Sequence, residues 1–209
     1  MVVYSLILGS HFQANCYVVE NDNKEAFAVD IGGDACELIT FLKHNGLTLK
    51  KILLTHGHYD HFFGVADTVK ETGAEVYIHG DDAEMLGSEL TSLAAFIGTN
   101  TFHPVEKYTI VNDGDIIDFC GTPVKVVHTP GHTEGSVCYI CEDKMFTGDT
   151  LFRLSAGRTD LPGGSQTKLR NSLALLKKIG LDKDYEVFPG HDSKTTLSYE
   201  IKNNQYMRD

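Results

Sequence analysis

The sequence lacks the features that would place it in several large classes of protein. It has no run of lysine and arginine, and 29 acidic residues against 18 basic ones give a formal net charge of −11 over 209 residues. Without a basic stripe to follow a phosphate backbone, nucleic acid is not an expected partner. No apolar run reaches membrane-spanning length, and the first residues have neither a basic leading segment nor a small-residue cleavage site. A soluble, cytoplasmic protein without a membrane partner is therefore expected.

The cysteines show no disulfide pattern. The five cysteines form an odd number without tight spacing, which favours reduced thiols over a disulfide scaffold. Cys138 and Cys141 form a CxxC pair, but they lie in the strand-like run SVCYIC, where an odd offset sends the two side chains to opposite faces. We therefore expect both thiols to serve packing rather than chemistry.

The composition that remains is that of one globular domain over residues 1–209. Apolar residues make up 42% of the chain and charged residues 22%, and no repeat, low-complexity tract or linker interrupts it. Short apolar or alternating runs, typical of strands, occur at the start of the chain and again from Asp115 onward. Segments with the spacing of helices lie between these two regions and after the second one. Two β-rich halves, each with helices, predict an α+β fold: two packed sheets with helices outside, a four-layer α/β/β/α sandwich.

Particular segments carry this prediction. Strands are predicted at VVYSLIL, NCYVVE, EAFAVD, KKILLT, AEVYIH, DIIDF, PVKVVHT, SVCYIC, KMFTG and YEVFPGH, the last being taken as the final strand. Helices are predicted from an Asp34 cap to Gly46, at VADTVKET before Gly73, and over residues 166–179. The segment 86–107 has no pattern that assigns it.

The strongest functional signal follows the strand KKILLT. His56, His58, Asp60 and His61 fall within six consecutive residues, in a loop at a strand end that can turn several side chains toward one point. At this chain's frequencies of His and Asp, such an HxHxDH string arises by chance in roughly two of a thousand sequences. A bound cation explains four crowded imidazole and carboxylate groups better than a polar surface loop does.

Other apolar strands are followed by single acidic or histidine residues. Asp30 follows EAFAV, His132 follows PVKVVHTPG, Asp149 follows KMFTG and His191 follows YEVFPG. Taken singly, each is more readily explained as a cap or a turn former. Together they predict that separate strands deliver these side chains to one end of the sandwich.

These motifs resemble those of the metallo-β-lactamase superfamily. The segments NCYVV, AVDIGG, THGHYDH, HTPGHTEGS, FTGDTLF, GRTDLPGG and FPGHD are similar to the short glyoxalase II-like hydrolases, which cleave hydroxyacyl-glutathione thioesters. The resemblance implies two divalent metal ions per chain, held by His56, His58 and His132 at the first ion, by Asp60, His61 and His191 at the second, and by Asp149 between them. It implies that Asp30 supports the ligands without binding a metal ion itself. The helical C-terminal extension of full-length glyoxalase II, which supplies much of the glutathione site, is not expected here, because the sequence ends eighteen residues after His191.

The chemistry of such a centre agrees with a thioester substrate. Two cations about 3.5–4 Å apart share a hydroxide formed at neutral pH and stabilise an oxyanion, so that no Ser or Cys nucleophile is needed. Asp60 and Asp149 are the carboxylates expected to take part. A thiol with a pKa of about 8.5 leaves as a thiolate with little protonation, which favours thioesters such as S-lactoylglutathione. Zinc is the first choice of metal, and the same ligand set accepts iron or manganese.

Two further residues are candidates for substrate contact. Arg158, in the GRTD string, pairs either with a substrate carboxylate or, equally, with Asp160 in its own loop. Tyr59 is interpreted as loop packing or as a substrate-facing wall. Three further histidines are not expected to be ligands: His128 is expected to be packed or hydrogen-bonded, and His79 and His103 to be surface or capping residues.

Four other functions share part of this pattern. A mononuclear iron persulfide dioxygenase of the same superfamily would bind iron through His56, His132 and Asp149 alone. A β-lactamase fits less well, because a bridging carboxylate at Asp149 marks the thioesterase-like branch. A tRNA-processing nuclease conflicts with the acidic charge balance, and a non-catalytic module would not need seven ligands for one closed structural ion. The sequence does not indicate the oligomeric state.

Overall fold

The structure, a computed structural model, describes residues 1–9, 14–97 and 102–208. The chain divides into two compact units, Met1–Ile110 and Val111–Asp209. The prediction of a single domain over residues 1–209 stays a prediction. In the described part of the chain, no helix combines the length and the hydropathy that crossing a membrane requires.

The first unit begins with antiparallel strands and continues with β-α-β connections. Its elements are β1 (Val2–Ile7), β2 (Asn15–Glu20), β3 (Glu25–Val29), α1 (Ala35–Asn45), β4 (Thr48–Leu53), α2 (Tyr59–Phe62), α3 (Val65–Thr72), β5 (Glu75–His79), a 3-10 helix (Gly80–Gly87), α4 (Ala94–Ile97) and β6 (Thr109–Val111), which runs one residue past the unit boundary. The sheet order follows the chain, β1-β2-β3-β4-β5-β6. Strands β1 to β3 pair antiparallel and β3 to β5 pair parallel, so the carboxyl ends of β3 and β4 lie side by side.

The core of the first unit lies between its sheet and its helices. Helix α1 begins at Asp34, whose side chain accepts the Cys36 N–H, and ends at Gly46 in the left-handed conformation, with φ of 65°. Leu38 and Leu42, one turn apart on this helix, belong to one buried cluster with residues of β2, β3, β4 and α3. The helix caps and the apolar stripe predicted for this segment are confirmed.

The second unit has an antiparallel sheet extended by a parallel strand. Its elements are β7 (Ile116–Phe119), β8 (Thr122–His128), β9 (Val137–Cys141), β10 (Lys144–Gly148), β11 (Leu151–Phe152), β12 (Ser155–Ala156), α5 (Gln166–Asp182), β13 (Glu186–Pro189), β14 (Thr195–Thr196), α6 (Leu197–Asn203) and a 3-10 helix (Gln205–Met207). The sheet order is β14-β13-β10-β9-β8-β7, with β11 and β12 as a separate hairpin. Strand β13 runs parallel to β10 after the crossover through α5, and Leu169, Leu173 and Leu176 of α5 pack with Val127 and Val187 in a buried cluster.

All predicted strands and helices are confirmed, and the structure adds further elements that were not predicted. The ten predicted strands correspond to β1–β5, β7–β10 and β13, and the three predicted helices to α1, α3 and α5. The prediction that YEVFPGH is the final strand is wrong, because β14 follows it and pairs antiparallel with it. In the segment 86–107 the structure forms α4, and residues 98–101 lie outside the described residues. The missed strands have two or three residues and the missed helices three to eight, which is too short for their periodicity to be read.

The CxxC pair lies in the interior of the second unit. All five are free thiols, and Cys138 and Cys141 are both buried. Burial raises the pKa of Cys138 to about 12 and that of Cys141 to about 11, so both stay protonated at neutral pH. The prediction that this CxxC pair serves packing is confirmed.

Candidate metal centre

The motif at residues 55–61 connects β4 to α2 in the first unit. His56, His58 and His61 are buried, whereas the Asp60 side chain keeps 29% of its surface exposed. His58 is the N-cap residue of α2, so the first turn of this helix carries Asp60 and His61. The strand end and the helix start together place four predicted ligands within one short turn.

The donor atoms of this turn lie at the separations of ligands that share a cation. His56 Nε2 is 3.1 Å from His58 Nδ1, and His61 Nε2 is 3.8 Å from Asp60 Oδ2. Two nitrogen ligands of one tetrahedral zinc ion, each about 2.0–2.1 Å from it, lie roughly 3.4 Å apart. The donors of the first unit therefore fit a divalent cation in both chemical type and spacing.

The Asp30 side chain contacts Thr55 and His61 of this turn. It ends β3 in a left-handed conformation, with φ of 53°, and its side chain is buried. Its Oδ1 accepts the Thr55 N–H at 2.9 Å, while its Oδ2 accepts the Thr55 hydroxyl at 2.7 Å and lies 2.8 Å from His61 Nδ1. A carboxylate on Nδ1 fixes the tautomer that leaves Nε2 as the ligand atom. Asp30 thus orients His61 and anchors the start of the motif.

Two contacts of this turn were not predicted. Thr55 Oγ1 lies 3.1 Å from His56 Nδ1, so one hydroxyl links Asp30 to His56. The buried Asp82, in the 3-10 helix after β5, accepts the Gly57 N–H at 2.9 Å. The position of Thr55 directly before the motif was a usable signal. Asp82 is 25 residues away from Gly57 in a segment without a pattern, and gave none.

The second unit holds three further donors, each after a different strand. His132 follows β8, Asp149 follows β10 and His191 follows β13. Asp149 Oδ2 lies 3.5 Å from His132 Nε2 and 3.7 Å from His191 Nε2. His132 is buried. The His191 side chain has 30% of its surface exposed to solvent and packs edge-on against Phe152. One carboxylate oxygen thus stands near two imidazoles, as a shared ligand would.

Backbone contacts orient His132. Its Nδ1 lies 2.8 Å from the carbonyl oxygen of Arg158, which makes Nε2 the ligand atom. Gly131 has φ of 139°, and a Cβ there would overlap the backbone nitrogen of Leu169 in α5. A Cβ on Gly157 would overlap the carbonyl oxygen of Asp149 and lie 3.3 Å from His132 Nδ1. Both glycines are therefore required by close approach.

The side chain of Arg158 pairs within its own loop. Its Nε and one terminal nitrogen donate to the two carboxylate oxygens of Asp160, each at 2.7 Å, and 62% of the Arg158 side chain is exposed. The hydrogen bond from Arg158 lowers the pKa of Asp160 to about 2. Of the two interpretations of Arg158, internal pairing is the one that the structure contains. The residue touches a predicted ligand through its carbonyl and not through its guanidinium.

Tyr59 is part of the packing. Its side chain has 0% exposure, and its ring lies 5.1 Å from those of Phe62 and Phe102. Its hydroxyl accepts the His103 N–H at 3.2 Å, and burial raises its pKa. The interpretation of Tyr59 as a substrate-facing wall is wrong, because a ring enclosed by other aromatic rings presents no surface to a ligand.

Three histidines outside the predicted ligands, His79, His103 and His128, make hydrogen-bonding, capping or ion-pair contacts. His128 Nε2 lies 2.8 Å from the carbonyl oxygen of Glu134, and the His79 ring caps the 3-10 helix that follows it. His103 Nδ1 lies 2.9 Å from a carboxylate oxygen of Asp67. These contacts confirm the roles predicted for the three residues.

The sequence matches a known family over most of its length, including all seven predicted ligands. A family model described as the metallo-beta-lactamase superfamily matches residues 9–191. The chain belongs to this superfamily. Metal-dependent hydrolases belong to this superfamily, and their need for metal ligands agrees with the chemistry of both donor sets.

Relatives of the chain include proteins named hydroxyacylglutathione hydrolase. Hydroxyacylglutathione hydrolase GloC of Haemophilus influenzae is 33% identical over 201 residues, covering 94% of this chain and 93% of the relative. A hydroxyacylglutathione hydrolase of Shewanella sp. (strain ANA-3) is 32% identical over 180 residues, covering 84% of this chain and 61% of the relative. An uncharacterized protein of Mycobacterium tuberculosis, Rv2581c, is 38% identical over 207 residues, 92% of each. The resemblance to glyoxalase II-like hydrolases is confirmed at this level.

Solved structures confirm the fold class. The BLEG-1 B3 metallo-beta-lactamase has a TM-score of 0.90 and 35% identity, with full coverage of both chains. TTHA1623 in a di-iron-bound form has a TM-score of 0.85 and 33% identity, covering 98% of this chain and 100% of its own. ETHE1 from Myxococcus xanthus has a TM-score of 0.76 and 25% identity, covering 98% and 84%. The predicted α+β fold of metallo-β-lactamase type is therefore correct.

Proposed function

We propose that this chain is a binuclear metal-dependent hydrolase that cleaves thioesters, with hydroxyacyl-glutathione compounds such as S-lactoylglutathione as its substrate class. One observation carries the proposal: each unit holds imidazole and carboxylate donors at the separations that ligands of a shared cation have. Relatives named hydroxyacylglutathione hydrolase, at 32% and 33% identity, support the substrate class. The proposal includes no nucleic-acid or membrane partner.

The hydrogen bonds behind the donors support metal ligation over a merely polar cluster. Nδ1 of His56 contacts the Thr55 hydroxyl. Nδ1 of His61 contacts the Asp30 carboxylate, and Nδ1 of His132 contacts the Arg158 carbonyl. In each case Nε2 remains as the ligand atom, which is how outer groups orient metal-binding histidines. The proposed ligands are those that the resemblance implies: His56, His58, Asp60, His61, His132, Asp149 and His191.

The metal is proposed to be zinc, and iron is the main alternative. Imidazole and carboxylate ligands accept both metals, and manganese as well. The di-iron form of TTHA1623 supports iron at a centre of this family. Divalent cations bound in such a centre lower the pKa of water to about 7 and polarise a carbonyl group.

The leaving group favours thioesters over amides. A thiol with a pKa of about 8.5 departs as a thiolate with little help, whereas an amine needs a proton donor. Asp149 is assigned the role of shared ligand, because its Oδ2 stands near both His132 and His191. Asp60 is assigned as the partly exposed ligand of the first unit's donor set.

The test is metal content by elemental analysis together with hydrolysis of S-lactoylglutathione on the same sample. We expect about two metal ions per chain with turnover. The His58→Ala variant should lose both metal and activity, because it removes a donor. The matched control is His103→Ala, which removes a partly exposed histidine outside the donor sets and should keep both. Full hydrolysis in His58→Ala, or none in a protein loaded with two metals, would reject the proposal.

A second candidate, β-lactam hydrolysis, is favoured by one specific observation. The BLEG-1 B3 metallo-beta-lactamase matches the whole chain with a TM-score of 0.90. Turnover of the chromogenic cephalosporin nitrocefin is the direct test. Nitrocefin hydrolysis faster than thioester hydrolysis, lost in His58→Ala, would replace the first proposal with this one.

The iron dioxygenase considered from the sequence gives a different result in the same experiments. It requires one iron per chain at His56, His132 and Asp149, and it consumes oxygen with glutathione persulfide. One iron, oxygen uptake and no hydrolysis would establish it in place of the thioesterase.

A further inference from the structure

The second unit contains a groove that the metal centre does not use. It has a volume of about 930 Å³ and lies between the loop at residues 157–160, the first half of α5 and the 3-10 helix near the C-terminus. The chain has four arginines, and three of them line this groove: Arg158, Arg170 and Arg208. We call it the arginine groove.

The charge of the arginine groove is opposite to that of the chain. The chain carries a formal charge of −11, yet Asp160 is the single acidic residue among the described residues that line the groove. Asp160 is occupied by the bidentate pair with Arg158. Arg170 and Arg208 are exposed and form no ion pair within the described part of the chain. Two guanidinium groups therefore keep their donors available for an anion.

The lining also includes apolar and uncharged polar groups. Leu169 and Leu173, one turn apart on α5, are among the lining residues and are themselves buried. The Tyr206 side chain and the amide of Gln166 add surfaces for stacking and hydrogen bonding. A concave site with apolar groups and a few charged donors fits an organic molecule with acidic groups better than a bare inorganic ion.

We propose that the arginine groove binds an organic anion that carries carboxylate or phosphate groups. Its acidic groups pair with Arg170 and Arg208, and its carbon skeleton lies against Leu169 and Leu173. Two sources share this chemistry: the thiol carrier of the thioester, which rests on the proposed function, and a separate anionic small molecule. The loop that lines the groove also holds His132, through the Arg158 carbonyl.

Direct binding tests the proposal without any need for turnover. Calorimetric titration of the full chain with coenzyme A and with glutathione probes a phosphate-bearing and a carboxylate-bearing thiol. We expect binding of at least one probe, weaker at higher salt, and about tenfold or more weaker in the Arg170→Gln/Arg208→Gln double variant. The matched control is Arg153→Gln, which changes the one arginine outside the groove and should bind as the wild type does.

Two results would overturn the proposal: no binding of either probe at millimolar concentration, or equal affinity in the double variant and the wild type. Thermal unfolding shows whether the double variant is folded, which is expected because both arginines are exposed. A raised KM for S-lactoylglutathione with unchanged kcat in the double variant identifies the thiol carrier, and an unchanged KM identifies a separate anion. Intact probe binding without hydrolysis contradicts the proposed function alone.

Discussion

The two units orient their predicted histidine ligands with different kinds of group. In the first unit, four donors lie within six consecutive residues, and the side chains of Asp30 and Thr55 hold two of the imidazoles. In the second unit, three donors follow three different strands, and the backbone carbonyl of Arg158 holds His132. In the first set hydrogen-bonding side chains orient the imidazoles, and in the second a backbone carbonyl orients His132. Close approach at glycine occurs in both sets, at Gly32 beside the Asp60 carbonyl and at Gly157 beside the Asp149 carbonyl. The two sets should therefore respond to different substitutions.

The largest effect is expected at Gly157, where a close backbone contact lies beside two predicted ligands. In Gly157→Ala the new Cβ would overlap the carbonyl oxygen of Asp149 and lie 3.3 Å from His132 Nδ1, so the loop must move. We expect a loss of about 1–3 kcal/mol in the free energy of unfolding, as for overpacking elsewhere, together with loss of bound metal. Urea denaturation and elemental analysis measure the two effects.

The control for this prediction is Gly87→Ala, because a Cβ there has no atom of the described residues within 4 Å. It should change neither quantity. Wild-type stability and metal content in Gly157→Ala would show that backbone approach does not hold the donors of the second unit.

A smaller effect is expected for the side-chain contact of the first unit. Asp30→Asn keeps the volume and one acceptor for Thr55, but it removes the negative charge that faces His61 Nδ1. Loss of such an outer partner weakens metal binding by about 10–100-fold. Competition with a chelator measures the affinity. Asp34→Asn, which still caps α1, should leave it unchanged, and equal affinity in the two variants would contradict the role of Asp30.

Contacts made by side chains could be predicted from the sequence more readily than contacts made by the backbone. The first unit's donors were predictable because residue identity carries them in one contiguous motif, and α1 was predictable because Asp34 and Gly46 mark its ends. The contact that orients His132 was not, since a backbone carbonyl at position 158 would look the same with any side chain. Tyr59 was left ambiguous because it lies between predicted ligands in the motif, whereas tertiary packing encloses its ring.

The smallest effect is expected for Arg158→Ala, which separates the role of the guanidinium from that of the backbone carbonyl. Arg158→Ala keeps the carbonyl that contacts His132, so metal content should not change, whereas removal of the guanidinium should raise the pKa of Asp160 from about 2 toward its ordinary value of 3.8. A lowered pKa in the folded state stabilises the protein above the unfolded value of 3.8, and this stabilisation is lost as the pH falls through about 2. The contribution is small because both side chains are exposed. Carboxyl NMR titration of the wild type and the variant measures the shift. Loss of metal in Arg158→Ala would mean that the guanidinium, and not the backbone, supports the second set of donors.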